Sequence, residues 1–245
     1  MYPIYKELVK HFRVVALDML GYGASTRVTI APAILASAAA TDNYQVSWLS
    51  SWLNQCSLNS DLPEQFYLTG HSYGGYLSAL LAINHPERIL GLFLNSAIGA
   101  EKEPEEYDPR HIRLSSSDKG PPSKLLSKFW QMNWEANRTP LDVARILPSC
   151  LLDRLQSYAI NTDMEGYPPR HRDVVRRYVN SMFKLGASGT EKALTATFKF
   201  GCYPHHCLVE SDRLGNSQLP FPIAFCYGDQ DWLGTAGADE IVRNN

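Results

Sequence analysis

The sequence predicts an α/β protein, a mostly parallel sheet flanked by helices, with a block of helices inserted ahead of its last strand. Three observations carry that prediction. The run Gln65-Phe66-Tyr67-Leu68 enters Gly70-His71-Ser72-Tyr73-Gly74-Gly75, and Tyr76, Leu77, Leu80, Leu81 and Ile83 leave it at helical spacing. Two more apolar runs, residues 12–18 and 222–227, are each followed by a glycine-bearing turn, the punctuation of buried strands. Between residues 123 and 185 the apolar residues recur mainly at helical spacing.

In chain order, residues 1–11 are a helix-like approach to the first strand, Phe12-Arg13-Val14-Val15-Ala16-Leu17-Asp18. Gly21-Tyr22-Gly23-Ala24-Ser25 is the tight loop after it. Residues 31–40, rich in alanine, read as a loop or excursion before a helix around residues 44–53. The strand at 66–68 and the helix after it follow, closed by Asn84-His85-Pro86, because a helix rarely runs through the residue before proline. Leu92-Phe93-Leu94 is a further core run. Residues 101–123 are polar, with five prolines and glycines, and mark a boundary. Beyond it, Leu126, Phe129, Trp130 and Trp134 share one helix side, and Val174, Tyr178, Met182 and Leu185 another. Thr139 is an N-cap with Pro140 at the first helical position, and that helix stops at Pro148. The organisation is therefore core at 1–100, helical insertion at 101–220 and core again at 221–245.

The glycines around Ser72 have a chemical reason. A serine lifted on a sharp strand-to-helix turn needs neighbours without a Cβ, and Gly70 and Gly74 are the residues expected to leave that room. The turn aims the first helical amides at a reacting carbonyl, which makes the N–H of Tyr73 an oxyanion donor. The plainer alternative is a glycine-rich turn that only packs.

These motifs resemble the α/β-hydrolase superfamily. Asp18-Met19-Leu20-Gly21-Tyr22-Gly23-Ala24-Ser25 is similar to its Asp-x-x-Gly-x-Gly-x-Ser loop, which is structural there, so Asp18 takes no catalytic role. The resemblance implies Ser72 as nucleophile and Asp231, in Gly228-Asp229-Gln230-Asp231-Trp232, as the triad acid. Asp229 is the runner-up, and a turn aspartate the plain reading of either. The superfamily orders its triad serine, acid, histidine, yet all seven histidines precede Asp231. No triad histidine is visible, nor is the His-Gly loop that supplies the second oxyanion amide ahead of the Asp18 loop. The chain thus reads as an internal piece of a longer hydrolase. The strands at 12–18 and 66–68 are then expected to flank an empty slot rather than pair.

Trp134-Glu135-Ala136-Asn137-Arg138-Thr139-Pro140, Ala187-Ser188-Gly189-Thr190-Glu191 and Tyr227 to Trp232 resemble one lipid-acting subfamily. It contains N-acylphosphatidylethanolamine lipases, lysophosphatidic acid acyltransferases and a lipid-droplet co-activator of triglyceride lipase. Its His-x-x-x-x-Asp motif occurs nowhere suitable in this chain, whereas Ser72, lost in the co-activator branch, is present. The resemblance places a helical cap between the sixth and seventh strands.

The chain has 245 residues, 44 % of them hydrophobic, and a net charge of −2, which fits a domain with a sizeable core and argues against a nucleic-acid partner. No apolar run approaches the ~20 residues of a membrane span. Five scattered cysteines favour reduced thiols and a cytoplasmic setting over a disulfide framework. Cys202-Tyr203-Pro204-His205-His206-Cys207 has metal-ligand residue types, but its crowded spacing fits an ordinary loop better than zinc. No metal or organic cofactor is expected. Phe129, Trp130, Met132, Trp134, Tyr178, Met182 and Phe183 are candidates to line an acyl-chain tunnel, or simply to pack the insertion. Arg170, Arg172, Arg176 and Arg177 either meet phosphate head groups or form a solvated face.

The expected function is a serine hydrolase or acyltransferase acting on (lyso)phospholipid or another acyl ester. A lipid-droplet or membrane surface and a lipase partner are the further partners the resemblance implies. Two alternatives stand beside it: a non-catalytic lipid-surface scaffold or lipase co-activator, and a general small-ester hydrolase.

Overall fold

The computed structural model describes residues 2–59, 61–106, 124–164, 166–216, 218–229 and 231–245. Three parallel strands form its sheet in the order β1 (Phe66–His71), β2 (Ile89–Asn95), β3 (Ile223–Cys226). Parallel strands need a crossover. Between β1 and β2 it is helix α4 (Tyr73–Asn84), ended at His85 by the Pro86–Arg88 turn. Tyr76, Leu77, Leu80 and Leu81 of α4 are buried with Leu92 and Leu94 of β2, so the nearly all-apolar helix is the centre of the core. α3 (Ala38–Leu58) packs on α4 and adds Leu49 and Leu53 to the core. The opposite sheet face, with Tyr67, Leu90 and Phe93, is exposed.

The helical insertion lies between β2 and β3 in the chain: α5 (Lys124–Glu135), α6 (Pro140–Ile146), α7 (Ser149–Asp163), α8 (Pro169–Lys184) and α9 (Gly189–Thr197). Thr139 caps α6 as its sequence announces. Thr139 Oγ1 accepts from the Asp142 N–H at 3.1 Å, and Asp142 Oδ2 accepts from the Thr139 N–H at 2.9 Å, a complete capping box. Thr139→Ala is expected to cost about 1 kcal/mol in urea denaturation; an unchanged midpoint would show that the box contributes nothing. After β3, α10 (Ala236–Asn244) packs against that strand.

Two segments depart from the sequence expectation. Residues 12–18 form no strand: they make no ladder with 66–68 or any other described residue, and Phe12, Val15 and Leu17 are exposed. A strand exists only through its ladder partner, and the apolar run has none among the described residues; Phe12 instead sets its ring edge to face against Tyr67, centroids 6.2 Å apart. The alanine-rich excursion is not a plain loop. It holds the short helix α2 (Pro32–Leu35) and the first turn of α3, capped by Ser37, whose side chain accepts from the Ala40 N–H. The remaining helix, α1 (Tyr2–Leu8), occupies the expected approach. Residues 107–123 of the polar boundary, His111, Gln230, and the side chains of Leu126 and Phe183 lie outside the described residues.

Candidate active site

Ser72 joins the last residue of β1 to the first of α4 with φ 54° and ψ −123°. A non-glycine residue there costs on the order of 1–3 kcal/mol and persists only where its surroundings hold it. The Ser72 N–H donates to Asn95 O at 3.1 Å, and Ser72 O accepts from the Gly75 N–H at 3.0 Å and the Ile98 N–H at 3.4 Å. Space is equally tight. A Cβ on Gly70 would lie 2.2 Å from Gly74 O, and one on Gly75 would lie 2.6 Å from Ala97 Cβ. A Cβ on Gly74 would meet nothing within 4 Å. The second steric role therefore belongs to Gly75 rather than Gly74, because Gly75 faces the Ser96-Ala97-Ile98 turn and Gly74 faces open space.

Tyr73 occupies the first helical position, where an N–H has no acceptor within its own helix and sits at the positive end of the dipole. Its side chain points the other way, into the core. Gln45 Nε2 donates to Tyr73 Oη at 3.0 Å, Trp48 Nε1 holds Gln45 Oε1 in turn, and burial keeps the phenol well above its usual range. The amide is thus fixed to a ring that cannot swing.

The strand ends are in register, with His71 opposite Asn95 and Asn95 opposite Cys226. Ser72 and the turn after β3 therefore leave the same carboxyl edge two strands apart, about 9–10 Å. That gap suits an imidazole between a hydroxyl and a carboxylate. Asp231 stands in this turn, half-buried, its N–H donating to Gly228 O at 3.0 Å and its Oδ1 accepting from the Leu233 N–H at 3.2 Å. Asp229 is exposed. Burial, with a smaller contribution from Asp231, lifts the Tyr227 phenol to about 12.

No described histidine nitrogen lies within hydrogen-bonding distance of Ser72 Oγ. His71 is the nearest in sequence. Desolvation lowers its pKa, and the Asp231 carboxylate opposes that pull. The native state then binds fewer protons than the unfolded chain, so His71 removes stability as pH falls through 6.5 toward its folded value. Its imidazole NMR signal is expected to titrate below 6.5; a midpoint above that would reverse the sign. His85 closes the far end of α4, about 18 Å along a twelve-residue helix. It pairs with Ser50 Oγ at 2.6 Å and Glu87 at 3.6 Å, but Ser50 sits mid-helix, where backbone amides are committed and cannot hold an oxyanion.

His206 is also engaged. Arg213 Nη2 donates to its Nδ1 at 2.8 Å, so its Nε2–H faces Glu210 and Asp212, each 3.1 Å away. The His206–Glu210–Asp212 group has metal-ligand atoms within 4.8 Å of one another. With Nδ1 already accepting from Arg213, a neutral ring needs its proton on Nε2, the nitrogen a cation would have to take. The neighbouring cysteines do not form a ligand set either. Cys207 Sγ donates to Ala100 O at 3.0 Å, and burial pushes the Cys202 thiol up to about 11.

Behind the elbow lies a network that no local motif announces. Arg213 Nη2 donates to Asp42 Oδ2 at 2.5 Å, Arg213 Nη1 to Tyr76 Oη at 2.7 Å, and Tyr76 Oη to Asp42 Oδ2 at 2.8 Å. A second pair, half-buried, ties the insertion together: Arg145 grips Glu191 with two bonds of 2.7 Å, close enough for Glu191 to raise the Tyr22 phenol further above its ordinary range, beyond what burial does. The Asp18 loop is structural as expected, Asp18 Oδ2 accepting from the Ala24 N–H at 2.9 Å. Of the proposed tunnel residues, Phe129, Met132 and Tyr178 are exposed, because the helix faces that carry them point outward. Trp134 instead packs on the core and donates to Phe198 O at 2.7 Å.

Comparison with known proteins identifies the fold family. The family model of the alpha/beta hydrolase fold matches residues 2–238. A 1-acylglycerol-3-phosphate O-acyltransferase of Arabidopsis thaliana is 28 % identical over 242 residues, covering 97 % of this chain and 53 % of the relative. The abhydrolase domain-containing protein abhd-5.2 of Caenorhabditis elegans is 30 % identical over 244 residues, covering 93 % of this chain and 45 % of its own length. The chain spans about half the length of these curated relatives. A solved structure named as an alpha/beta hydrolase, from Nostoc sp PCC 7120, superposes with a TM-score of 0.51 at 18 % identity, covering 99 % of this chain and 74 % of the other. With its strand-to-helix serine turn, its parallel strand order and a family match across nearly all its length, the chain belongs to the α/β hydrolase fold family.

Proposed function

We propose that the chain carries the nucleophile and acid of a serine hydrolase or acyltransferase acting on carboxylic esters of lipids such as (lyso)phospholipids and phosphatidic acid. The observation that carries this reading is Ser72 held at φ 54° between β1 and α4. Ser72 Oγ adds to the acyl carbonyl while its proton passes to a histidine, and the Tyr73 N–H stabilises the oxyanion. The ester C–O bond then breaks, the alcohol leaves with the proton, and water or a second alcohol takes the acyl group from Ser72. Asp231 orients the histidine, which is carried outside residues 1–245. A second oxyanion amide comes from a His-Gly loop, also outside them. The helices inserted between β2 and β3 serve as the cap of this site. Lipid chemistry is supported by the acyltransferase name of the plant relative.

A non-catalytic lipid-surface scaffold or lipase co-activator is the second reading, favoured by the lack, among the described residues, of a histidine nitrogen within hydrogen-bonding distance of Ser72 Oγ. A fluorophosphonate probe separates them. The full-length protein is expected to label, and Ser72→Ala to abolish the label; an unlabelled wild type supports the scaffold. Long acyl chains are expected to outcompete short soluble esters in blocking that label, the reverse order favouring a general small-ester hydrolase.

A further inference from the structure

We propose that the α7–α8 hairpin docks the protein on an anionic phospholipid surface through an apolar stripe rimmed by arginines. Leu151, Leu155 and Tyr158 recur at i, i+4 and i+7 on α7 and so share one face. All three are exposed, from 43 % at Leu151 to 68 % at Tyr158. On α8, Val174 and Tyr178 are exposed, with Arg170 and Arg177 on the same face. The two helices pack together, with only five residues of sequence between them, which makes them antiparallel neighbours. Tyr158 and Val174 each lie eight residues from Gly166, so they stand level along the hairpin. Ile146, ending the helix that also packs on α8, is exposed as well.

Exposed apolar residues that recur along one helix face mark an interaction surface, whereas single exposed apolar residues do not. Charge identifies the partner. Against Asp153 and Asp173, the described side chains of the two helices set Arg154, Arg170, Arg172, Arg176 and Arg177. Arg176 and Arg177 share Asp173, at 2.6 Å and 3.1 Å, while Arg154 and Arg170 have no carboxylate partner among the described residues. Apolar side chains and tyrosine rings flanked by long cations suit the interface of a bilayer, where the stems lie among acyl chains and the guanidiniums reach phosphates. The inference rests on the lipid reading above but not on the chemistry of Ser72.

Flotation with vesicles of phosphatidylcholine alone, or with phosphatidylserine added, tests it. The chain is expected to float with the anionic vesicles and to be released by salt. The Arg170→Ala, Arg177→Ala double variant is expected to bind roughly thirtyfold more weakly, and the Leu151→Ser, Leu155→Ser variant to lose binding, both with unchanged circular dichroism. Ser72→Ala is expected to float like the wild type, so loss of probe labelling and loss of vesicle binding are separate failures. Equal flotation of wild type and both double variants would overturn the proposal. So would equal binding to neutral vesicles, or a dimer, broken by the leucine substitutions, that leaves vesicles unbound.

Discussion

The 245-residue chain by itself is expected to hydrolyse a p-nitrophenyl ester no faster than its Ser72→Ala variant. Serine is a weak nucleophile at neutral pH without an adjacent base, and no described histidine reaches Ser72 Oγ. His85 is held by Ser50 and Glu87 at the far end of α4, and both ring nitrogens of His206 are taken. Removing a triad histidine costs about a millionfold in kcat, and a missing oxyanion donor about another 10²–10³-fold. Under the proposed function, the strained serine turn and the Tyr73 amide would position a carbonyl without activating the attacking oxygen. Turnover well above the Ser72→Ala background would show that a histidine within residues 1–245 serves as base. His71, next to Ser72 and coupled to Asp231, is the one to substitute next.

Arg213→Ala is expected to be the most destabilising single substitution behind the site. Asp42 and Arg213 are each 7 % exposed at the side chain, and Arg213 also donates to Tyr76 and His206. Deleting it leaves the Asp42 carboxylate buried against Tyr76 with no cation. Breaking one side of such a pair costs about 3–5 kcal/mol, more than the pair itself is worth. Urea denaturation is expected to show that loss, with a melting temperature lower by on the order of 10 °C. Replacing both charges, Asp42→Leu with Arg213→Met, is expected to recover most of it. A loss below about 1 kcal/mol in Arg213→Ala would mean that water already reaches Asp42. Because Tyr76 lies on α4 one turn beyond Ser72, the same variant is expected to loosen the elbow as well.

The elements legible in the sequence are those specified by neighbours in the chain. The serine turn is announced by Gly70, Ser72 and the strand and helix patterns beside them. The α6 start needs only Thr139, Pro140 and Asp142, and both stand where local chemistry puts them. The strand at 12–18 failed for the opposite reason: an apolar run becomes a strand only when another backbone pairs with it, and that partner is not a property of the run. The same holds for Gly75, whose steric role depends on Ala97 twenty-two residues away, and for Asp42 and Arg213, separated by 171 residues. Residue types, turn chemistry and helical period were thus determined by the sequence alone. Tertiary structure alone decided which carboxylate is buried beside which cation, which histidines are already engaged and which apolar faces remain open, because burial and charge pairing depend on distances between segments that sequence order does not encode.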